Sequence, residues 1–161
     1  FKKFHPGGSL GERLETKVRD VMFTEDHMPV VSLGSKVEPA LREIDAKGIG
    51  ATLVVDGDRK LLGIITDGDL RRAMLSQKNL LHQKVEKIMS PSPKTIDEDQ
   101  TAAEALGVME LYGITHLAIV DKDKRVKGLL HLHDLFGRED FRLNGVNKAA
   151  ARSHHRPHNA S

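Results

Sequence analysis

The segment Gly63-Ile64-Ile65-Thr66-Asp67-Gly68-Asp69-Leu70 recurs 65 positions later as Gly128-Leu129-Leu130-His131-Leu132-His133-Asp134-Leu135. Residues 18–22 recur in the same way at residues 85–89, with an offset of 67. A repeat of this length is too long for a solenoid unit and indicates a duplicated half-domain. We therefore expect two halves that share one core, and we expect any binding site to exist twice.

The overall composition restricts the class of protein. A length of 161 residues suits one compact domain of two halves with tails, and an aromatic content of 4% requires an aliphatic core. The chain contains no cysteine, which excludes a disulfide framework and a thiolate metal site and favours a cytoplasmic location. No apolar run approaches the roughly 18 residues of a membrane span, and no signal-peptide pattern opens the chain, so we expect no membrane contact.

The net charge gives no support for nucleic-acid binding. Residues 138–161 hold five Lys and Arg against two Asp and Glu, whereas the whole chain carries +2. The remainder therefore has a net charge of −1, and the basic character belongs to the tail. Because nucleic acid requires a clustered basic face, we expect no nucleic-acid partner.

Apolar spacing predicts the same element order, β-α-β-β-α, in both halves. The first half contains an extended segment at 29–32, a helix that ends at Gly48, strands at 51–56 and 61–65 that are joined in a hairpin, and a helix capped by Thr66 or Asp67. The second half contains an extended segment at 94–96, a helix, strands at 116–121 and 126–130, and a helix that begins near His131. Capping boxes at Ser35-x-x-Glu38 and Thr101-x-x-Glu104 open the two middle helices. Residues 1–14 have a linker composition, and the polar tail is predicted to be disordered.

The string Gly-h-h-Thr-x-x-Asp-h at residues 63–70, where h is an apolar residue, resembles the CBS (cystathionine β-synthase) motif. The resemblance covers about residues 18–137 in two copies. Pairs of this kind form a Bateman module, which implies an α/β (α+β) fold of two motifs packed with pseudo-two-fold symmetry. The implied divisions are a linker at 1–17, CBS 1 at 18–79, CBS 2 at 80–137 and a tail at 138–161.

A second resemblance is carried by Phe4-His5-Pro6-Gly7-Gly8-Ser9-Leu10-Gly11 together with residues 17–22. This run is similar to the junction in the arabinose-5-phosphate isomerase family, where a sugar-isomerase domain hands over to a CBS pair. The resemblance implies a non-catalytic regulatory end of a bacterial enzyme that interconverts ribulose 5-phosphate and arabinose 5-phosphate in the Kdo (3-deoxy-octulosonate) pathway of lipopolysaccharide synthesis. His5 matches an active-site His of that domain, and the rest of that active site is not in this chain.

Thr66 and Asp69 admit two interpretations from their residue types. They suit a phosphate and hydroxyl site at a strand-to-helix turn, and they equally suit plain helix capping. The resemblance implies that Thr66 contacts a phosphate and Asp69 a ribose, with His131 and Asp134 at the equivalent places of the second half. It also implies that the strand entries around them, which ordinary strand starts would equally explain, contribute to the ligand site, namely Gly50, Ala51, Thr52, Lys94, Thr95, Ile96, Thr115, His116 and His133.

The ligand that the resemblance implies is a nucleotide or nucleotide-sugar: AMP, ATP, CMP or the pathway product CMP-Kdo, whose carboxylate suits Arg71 and Arg72. We expect no required cofactor, a homodimer (a homotetramer for the parent enzyme) and the sugar-isomerase domain as a partner. A competing interpretation is a structural module that holds isomerase subunits together without a ligand. His131-x-His133-Asp134 also suggests a metal site, but no further ligands have suitable spacing, so we expect none.

Overall fold

A computed structural model of the chain describes residues 9–136. His5 and the other residues before Ser9, like the tail at 138–161 that was predicted to be disordered, lie outside the described residues. No helix among residues 9–136 is long and apolar enough to cross a membrane.

The first half has the predicted order β-α-β-β-α. Its elements are β1 (Val30–Ser32), α2 (Val37–Lys47), β2 (Ala51–Val55), β3 (Leu61–Thr66) and α3 (Asp67–Ser76). Strand β1 pairs parallel with β2, and β2 pairs antiparallel with β3 across the predicted hairpin. Gly48 ends α2 in the left-handed conformation, with φ at 70°, which glycine adopts without strain.

The second half repeats this arrangement with one shorter element. It contains β5 (Thr95–Ile96), α4 (Ala102–Tyr112), β6 (His116–Val120), β7 (Val126–His131) and a 3-10 helix at Leu132–Leu135. The predicted capping box of Thr101 and Glu104 opens α4. The helix predicted near His131 begins there, and within the described residues it is this short 3-10 helix.

Two local predictions are wrong. The predicted linker at 1–14 contains α1 (Leu10–Leu14), because Ser9 and Glu12 form a capping box and Arg13 is buried. The predicted cap by Ser35 is absent, since α2 begins after Lys36 with no side-chain cap. The backbone replaces that cap: the Val37 amide donates to the Gln83 carbonyl at 2.8 Å, which satisfies one N–H at the helix start.

The segments that lead into each half cross over to the other half. Val18, in the 3-10 helix Val18–Asp20, is fully buried in the second-half core with Ile96 and Leu117. Val85, in the 3-10 helix Val85–Lys87, is fully buried in the first-half core. The strand β4 (Ser90–Pro91) then pairs antiparallel with β3 of the first half. Each half is thus completed by a segment that precedes the other half's core.

A third cluster joins the two halves. Leu53 and Ile64 of the first half pack with Ala118 and Leu129 of the second. The loop between β2 and β3 also pairs with the loop between β6 and β7, where the Leu61 amide donates to the Lys124 carbonyl at 3.0 Å. The ends of β2 and β6 that carry the predicted site residues lie away from these loops, because each hairpin loop follows the opposite end of its strand.

Candidate functional site

Site one is the turn from β3 into α3, together with the start of β2. Thr66 is the N-cap of α3, and its hydroxyl accepts from the Asp69 amide at 3.2 Å. Ala51 lies opposite Thr66 in the sheet, and the Gly50 carbonyl accepts from the Asp67 amide at 3.2 Å. The structure therefore brings four predicted residues of the first half, Gly50, Ala51, Thr66 and Asp69, to one place.

The Asp69 carboxylate is buried and surrounded by donors of the protein itself. Its Oδ2 accepts from the Thr66 amide at 2.9 Å and from the Thr66 hydroxyl at 3.1 Å. Its Oδ1 accepts from Arg72 Nη2 at 2.7 Å and from the Ser90 hydroxyl at 3.0 Å. A carboxylate offers about four acceptor positions, so this set occupies all of them.

Asp67 adds a second acid beside the same turn. A β-carbon placed on Gly50 would lie 3.4 Å from Asp67 Oδ2 and 3.8 Å from His116 Nε2. Gly50 has a φ of 84°, where an L side chain is strained, so glycine suits this position in both respects. Burial raises the pKa of the Asp67 carboxyl above its ordinary 3.8.

Site two is the equivalent turn from β7 into the 3-10 helix. His131 is its N-cap, and its backbone amide donates to Asp134 Oδ2 at 3.3 Å. The Thr115 carbonyl accepts from the Leu132 amide at 2.8 Å, as the Gly50 carbonyl does from Asp67 in site one. The imidazole Nδ1 of His131 accepts from the His133 amide at 3.1 Å, so this ring replaces the hydroxyl of Thr66 as the cap.

Three imidazoles form a row that links site two to the first half. The rings of His116 and His131, and those of His131 and His133, have centroids 4.6 Å apart in edge-to-face geometry. His116 Nε2 lies 2.7 Å from the Ile49 carbonyl oxygen, which can only accept, so Nε2 carries the proton. Burial lowers the pKa of His116 below its ordinary 6.5. The hydrogen bond to Ile49 raises this pKa and so opposes the effect of burial, whereas the charge of His133 lowers it further.

The remaining predicted site residues lie elsewhere or make other contacts. Thr52 is fully buried and its hydroxyl donates to the Leu53 carbonyl at 3.3 Å. Lys94 Nζ lies 4.2 Å from the centroid of the Tyr112 ring, and Thr95 and Ile96 pair with the middle of β6 rather than its start. Of the two arginines, Arg72 contacts Asp69 and Arg71 is exposed.

Sequence reasoning missed Ser90 and the His116–Ile49 contact. Both partners are distant in sequence, by 21 and 67 residues, so no local pattern indicates them. The Asp69–Arg72 pair has the i,i+3 spacing that brings side chains together on a helix, and this spacing was a usable signal.

The described residues hold no metal-binding cluster of side chains, and they form a groove outside the two turns. Within residues 9–136 no group of three or more His, Cys, Asp or Glu side chains is arranged to hold a metal ion. A shallow groove of about 460 Å³ lies along β5 and the β6–β7 loop, lined by Thr95, Asp97, Val120 and Lys122 among others. Among the predicted site residues it includes Thr95 and Ile96.

Comparison with known proteins identifies the family. The CBS domain model matches residues 18–76 and 85–139. Arabinose 5-phosphate isomerase KdsD of Pseudomonas aeruginosa is 45% identical over 135 residues, and KdsD of Francisella tularensis is 38% identical over 135 residues. In both comparisons the match covers 84% of this chain and 41% of the relative, so the chain spans well under half the length of these enzymes.

Solved structures agree on the fold. CBSX2 in complex with AMP has a TM-score of 0.67 at 23% identity, covering 80% of this chain and 98% of that one. The CBS domain pair of protein MJ0100, in complex with 5′-methylthioadenosine and S-adenosyl-L-methionine, has a TM-score of 0.66 at 27% identity, covering 83% and 98%. The duplicated turns and these matches together place the chain in the CBS domain family, as a tandem pair of CBS domains.

Proposed function

We propose that the chain is the regulatory CBS pair of an arabinose-5-phosphate isomerase and binds a nucleotide or nucleotide-sugar at sites one and two. The parent enzyme then interconverts ribulose 5-phosphate and arabinose 5-phosphate in the Kdo pathway through its sugar-isomerase domain. The similarity to the KdsD enzymes supports this assignment of the parent. The CBS pair contributes regulation rather than catalysis.

The observation that carries the ligand proposal is the equivalence of the two strand-to-helix turns. In each turn a carbonyl at the start of one strand accepts from the first amide of the following helix, at 3.2 Å from Asp67 and at 2.8 Å from Leu132. In each turn a capping side chain is followed three residues later by an aspartate. The two turns belong to the ends of the sheets where His116 contacts Ile49, so one ligand region can include residues from both halves.

The residue types define the class of ligand. A hydroxyl at the start of a helix suits a phosphate, and a carboxylate suits the two hydroxyls of a ribose. In site two an imidazole replaces the hydroxyl, and it can donate to a phosphate or a carboxylate. AMP, ATP and CMP carry the ribose and the phosphate. CMP-Kdo adds a carboxylate, and as the product of the pathway it would serve as a feedback ligand.

Isothermal titration calorimetry with these four ligands tests the proposal. We expect saturable binding by the wild-type chain, and we expect Asp69→Ala and Asp134→Ala each to weaken it by about 1–3 kcal/mol through the loss of a hydrogen-bonding group. Asp58→Ala, in the exposed hairpin loop, is the matched control and should bind like the wild type. Absence of heat for all four ligands at millimolar protein would contradict the ligand proposal.

The alternative function is a structural module that joins isomerase subunits. The two capping boxes satisfy the helix starts without a ligand, and α3 presents Met74 at 69% exposure and Leu75 at 86% exposure. Exposed apolar side chains next to each other favour a protein contact. Sedimentation separates the two functions, since a ligand-independent dimer that binds none of the four ligands would favour the structural module.

A further inference from the structure

The partners of Asp69 determine what a ligand must bring to site one. This inference rests on the proposed function, because it concerns the class of ligand that the same site accepts. The side chain of Asp69 is 7% exposed, whereas that of Arg72, which holds it, is 63% exposed. The carboxylate is thus fixed inside the fold, and one of its donors is a long side chain at the surface.

The four donors on Asp69 differ in how readily they can leave. Two belong to Thr66 and form the capping box of α3, so their loss would expose the start of the helix. The third is the Ser90 hydroxyl, and the backbone of Ser90 is held in β4 opposite Ile64. Arg72 is the fourth donor. Its side chain is long and exposed, so water can solvate the guanidinium when it moves away from Asp69. A ligand hydroxyl that binds Asp69 therefore displaces Arg72.

That displacement has an electrostatic consequence. The buried carboxylate loses its ion pair with Arg72, and the ligand hydroxyl that replaces the arginine donates a hydrogen bond but brings no positive charge. A neutral nucleoside therefore leaves both the Asp69 charge and the Arg72 charge poorly compensated. A ligand that also carries an anionic group gives Arg72 a new partner and restores the balance.

The surface beside Gly68 is within range of Arg72. A β-carbon on Gly68 would lie 3.4 Å from Arg72 Nη1 and 3.6 Å from the Thr66 hydroxyl oxygen. Both groups therefore approach the same bare α-carbon. An anion beside this α-carbon can meet the guanidinium after only a small movement of the arginine, while the Thr66 hydroxyl proton stays on Asp69 Oδ2.

The sequence of the second half differs at the positions that correspond to Arg72 and Ser90. The 65-residue offset places Gly137 at the position of Arg72, and the 67-residue offset places Phe23 at the position of Ser90. Asp134 thus has neither the arginine nor the serine of its counterpart at the corresponding sequence positions.

We infer that Arg72 makes site one selective for phosphorylated or otherwise anionic nucleosides over neutral nucleosides, by exchanging Asp69 for the anionic group of the ligand. Arg72 is then a specificity residue. Its removal should have effects of opposite sign on the two ligand types, because Asp69 is released for the neutral one while the anionic one loses its partner. A residue that only stabilised the fold would change both affinities in the same direction.

The test is calorimetry on the full chain carrying Asp134→Ala, which weakens site two so that the titration reports mainly on site one. The probes are two matched pairs, AMP with adenosine and CMP with cytidine. We expect the Asp134→Ala chain with Arg72 intact to prefer the monophosphate of at least one pair by about tenfold or more, as a charge-assisted hydrogen bond allows. Arg72→Gln should reduce that preference several-fold and raise the affinity for the nucleoside, and Arg72→Lys should retain part of it. Arg42→Gln, at an exposed arginine of α2 outside both sites, should leave it unchanged.

Three results would overturn the inference. One is equal affinity for nucleoside and monophosphate that Arg72→Gln does not alter, which leaves the proposed function intact. Another is an equal loss of preference in Arg42→Gln, which would indicate that general surface charge causes the preference. Binding of no probe by either protein, with thermal melting that shows both to be folded, would overturn this inference and the proposed site together.

Discussion

Met89 lies directly over the α-carbon of Gly63, so that a β-carbon added to Gly63 would be 2.9 Å from Met89 Cγ and 3.1 Å from the Ser90 carbonyl oxygen. Met22 has the same relationship to Gly128, where an added β-carbon would be 2.8 Å from Met22 Cγ and 3.1 Å from the Phe23 carbonyl oxygen. Each glycine belongs to a strand of one half, and each methionine belongs to the segment that leads into the other half. The repeated glycine of the motif thus provides space for the crossing segment.

The first prediction concerns these two glycines. Gly63→Ala and Gly128→Ala should each lower the free energy of unfolding by about 1–3 kcal/mol, because the added methyl overpacks against Met89 or Met22 and a backbone carbonyl. Gly57→Ala is the control, since nothing lies within 4 Å of a β-carbon there, and it should stay within about 0.5 kcal/mol of the wild type. Urea unfolding measures all three. Equal stability of all three variants would contradict the packing described for the crossing segments.

A second prediction uses a glycine inside a helix. Gly107 lies within α4 and is exposed, with nothing within 4 Å of a β-carbon. Gly107→Ala should therefore raise the free energy of unfolding by about 0.5–1 kcal/mol, because alanine has less backbone entropy to lose in a helix. Thermal melting gives the sign, and a destabilised variant would mean that α4 is packed differently at this position.

The crossover predicts how a single half behaves. Deletion of residues 78–161 removes Val85 and Met89, which complete the first-half core, and the second-half partners of Leu53 and Ile64. The remaining half should aggregate or dimerise, since it exposes two apolar surfaces. In the full chain, Val85→Ala should cost about 2 kcal/mol of stability, whereas Leu111→Ala, at a side chain 74% exposed, should cost far less. A well-behaved monomeric half in sedimentation would argue against the shared core.

The pKa of His116 predicts a dependence of stability on pH. Burial lowers this pKa in the folded state, so between the folded pKa and about 6.5 the unfolded chain binds more protons at this ring than the folded chain. Stability should therefore decrease as the pH falls through 6.5 toward the lower folded value. His116→Gln, which keeps a donor for the Ile49 carbonyl, should remove that part of the decrease, and exposed His82→Gln is the control. Identical pH profiles of the wild type and His116→Gln would contradict the environment assigned to this ring.

Helix α3 offers an exposed apolar surface for the homodimer that is expected from the sequence. Leu70, Ala73 and Leu135 are buried within the chain, which leaves Met74 and Leu75 of α3 exposed. If subunits associate through α3, Met74→Lys should weaken self-association in sedimentation, because a charge would replace an apolar contact. Leu111→Lys, on the exposed end of α4, is the control and should leave association unchanged. A strictly monomeric wild type at high concentration would rule this association out.

The sequence pattern predicted the elements of each half because apolar periodicity and turn residues act locally. The hairpin between β2 and β3, the end of α2 at Gly48 and the caps at Thr66 and Thr101 are confirmed for this reason. The pattern gave no indication of which half receives Val18 or Val85, because periodicity reports a buried face and not the partner that covers it. The Ser35 cap failed for a related reason, since a distant backbone carbonyl took its place.

The candidate sites were predicted only where the motif is local. Gly50, Ala51, Thr66 and Asp69 come together because neighbouring strands and one helix start carry them. Ser90 reaches Asp69 through strand pairing, which the local pattern does not contain. Ligand binding by these residues is a prediction.

The most direct test of the two-site account is a ¹H–¹⁵N correlation titration of the full chain with AMP and, separately, with CMP. Amide shifts should change first in two clusters 65 residues apart, at Gly50, Thr66 and Asp67 and at Thr115, His131 and Leu132. Asp69→Ala should suppress the first cluster and Asp134→Ala the second. Shifts confined to the groove around Thr95 and Lys122, or an unchanged spectrum at millimolar concentrations of both ligands, would contradict it.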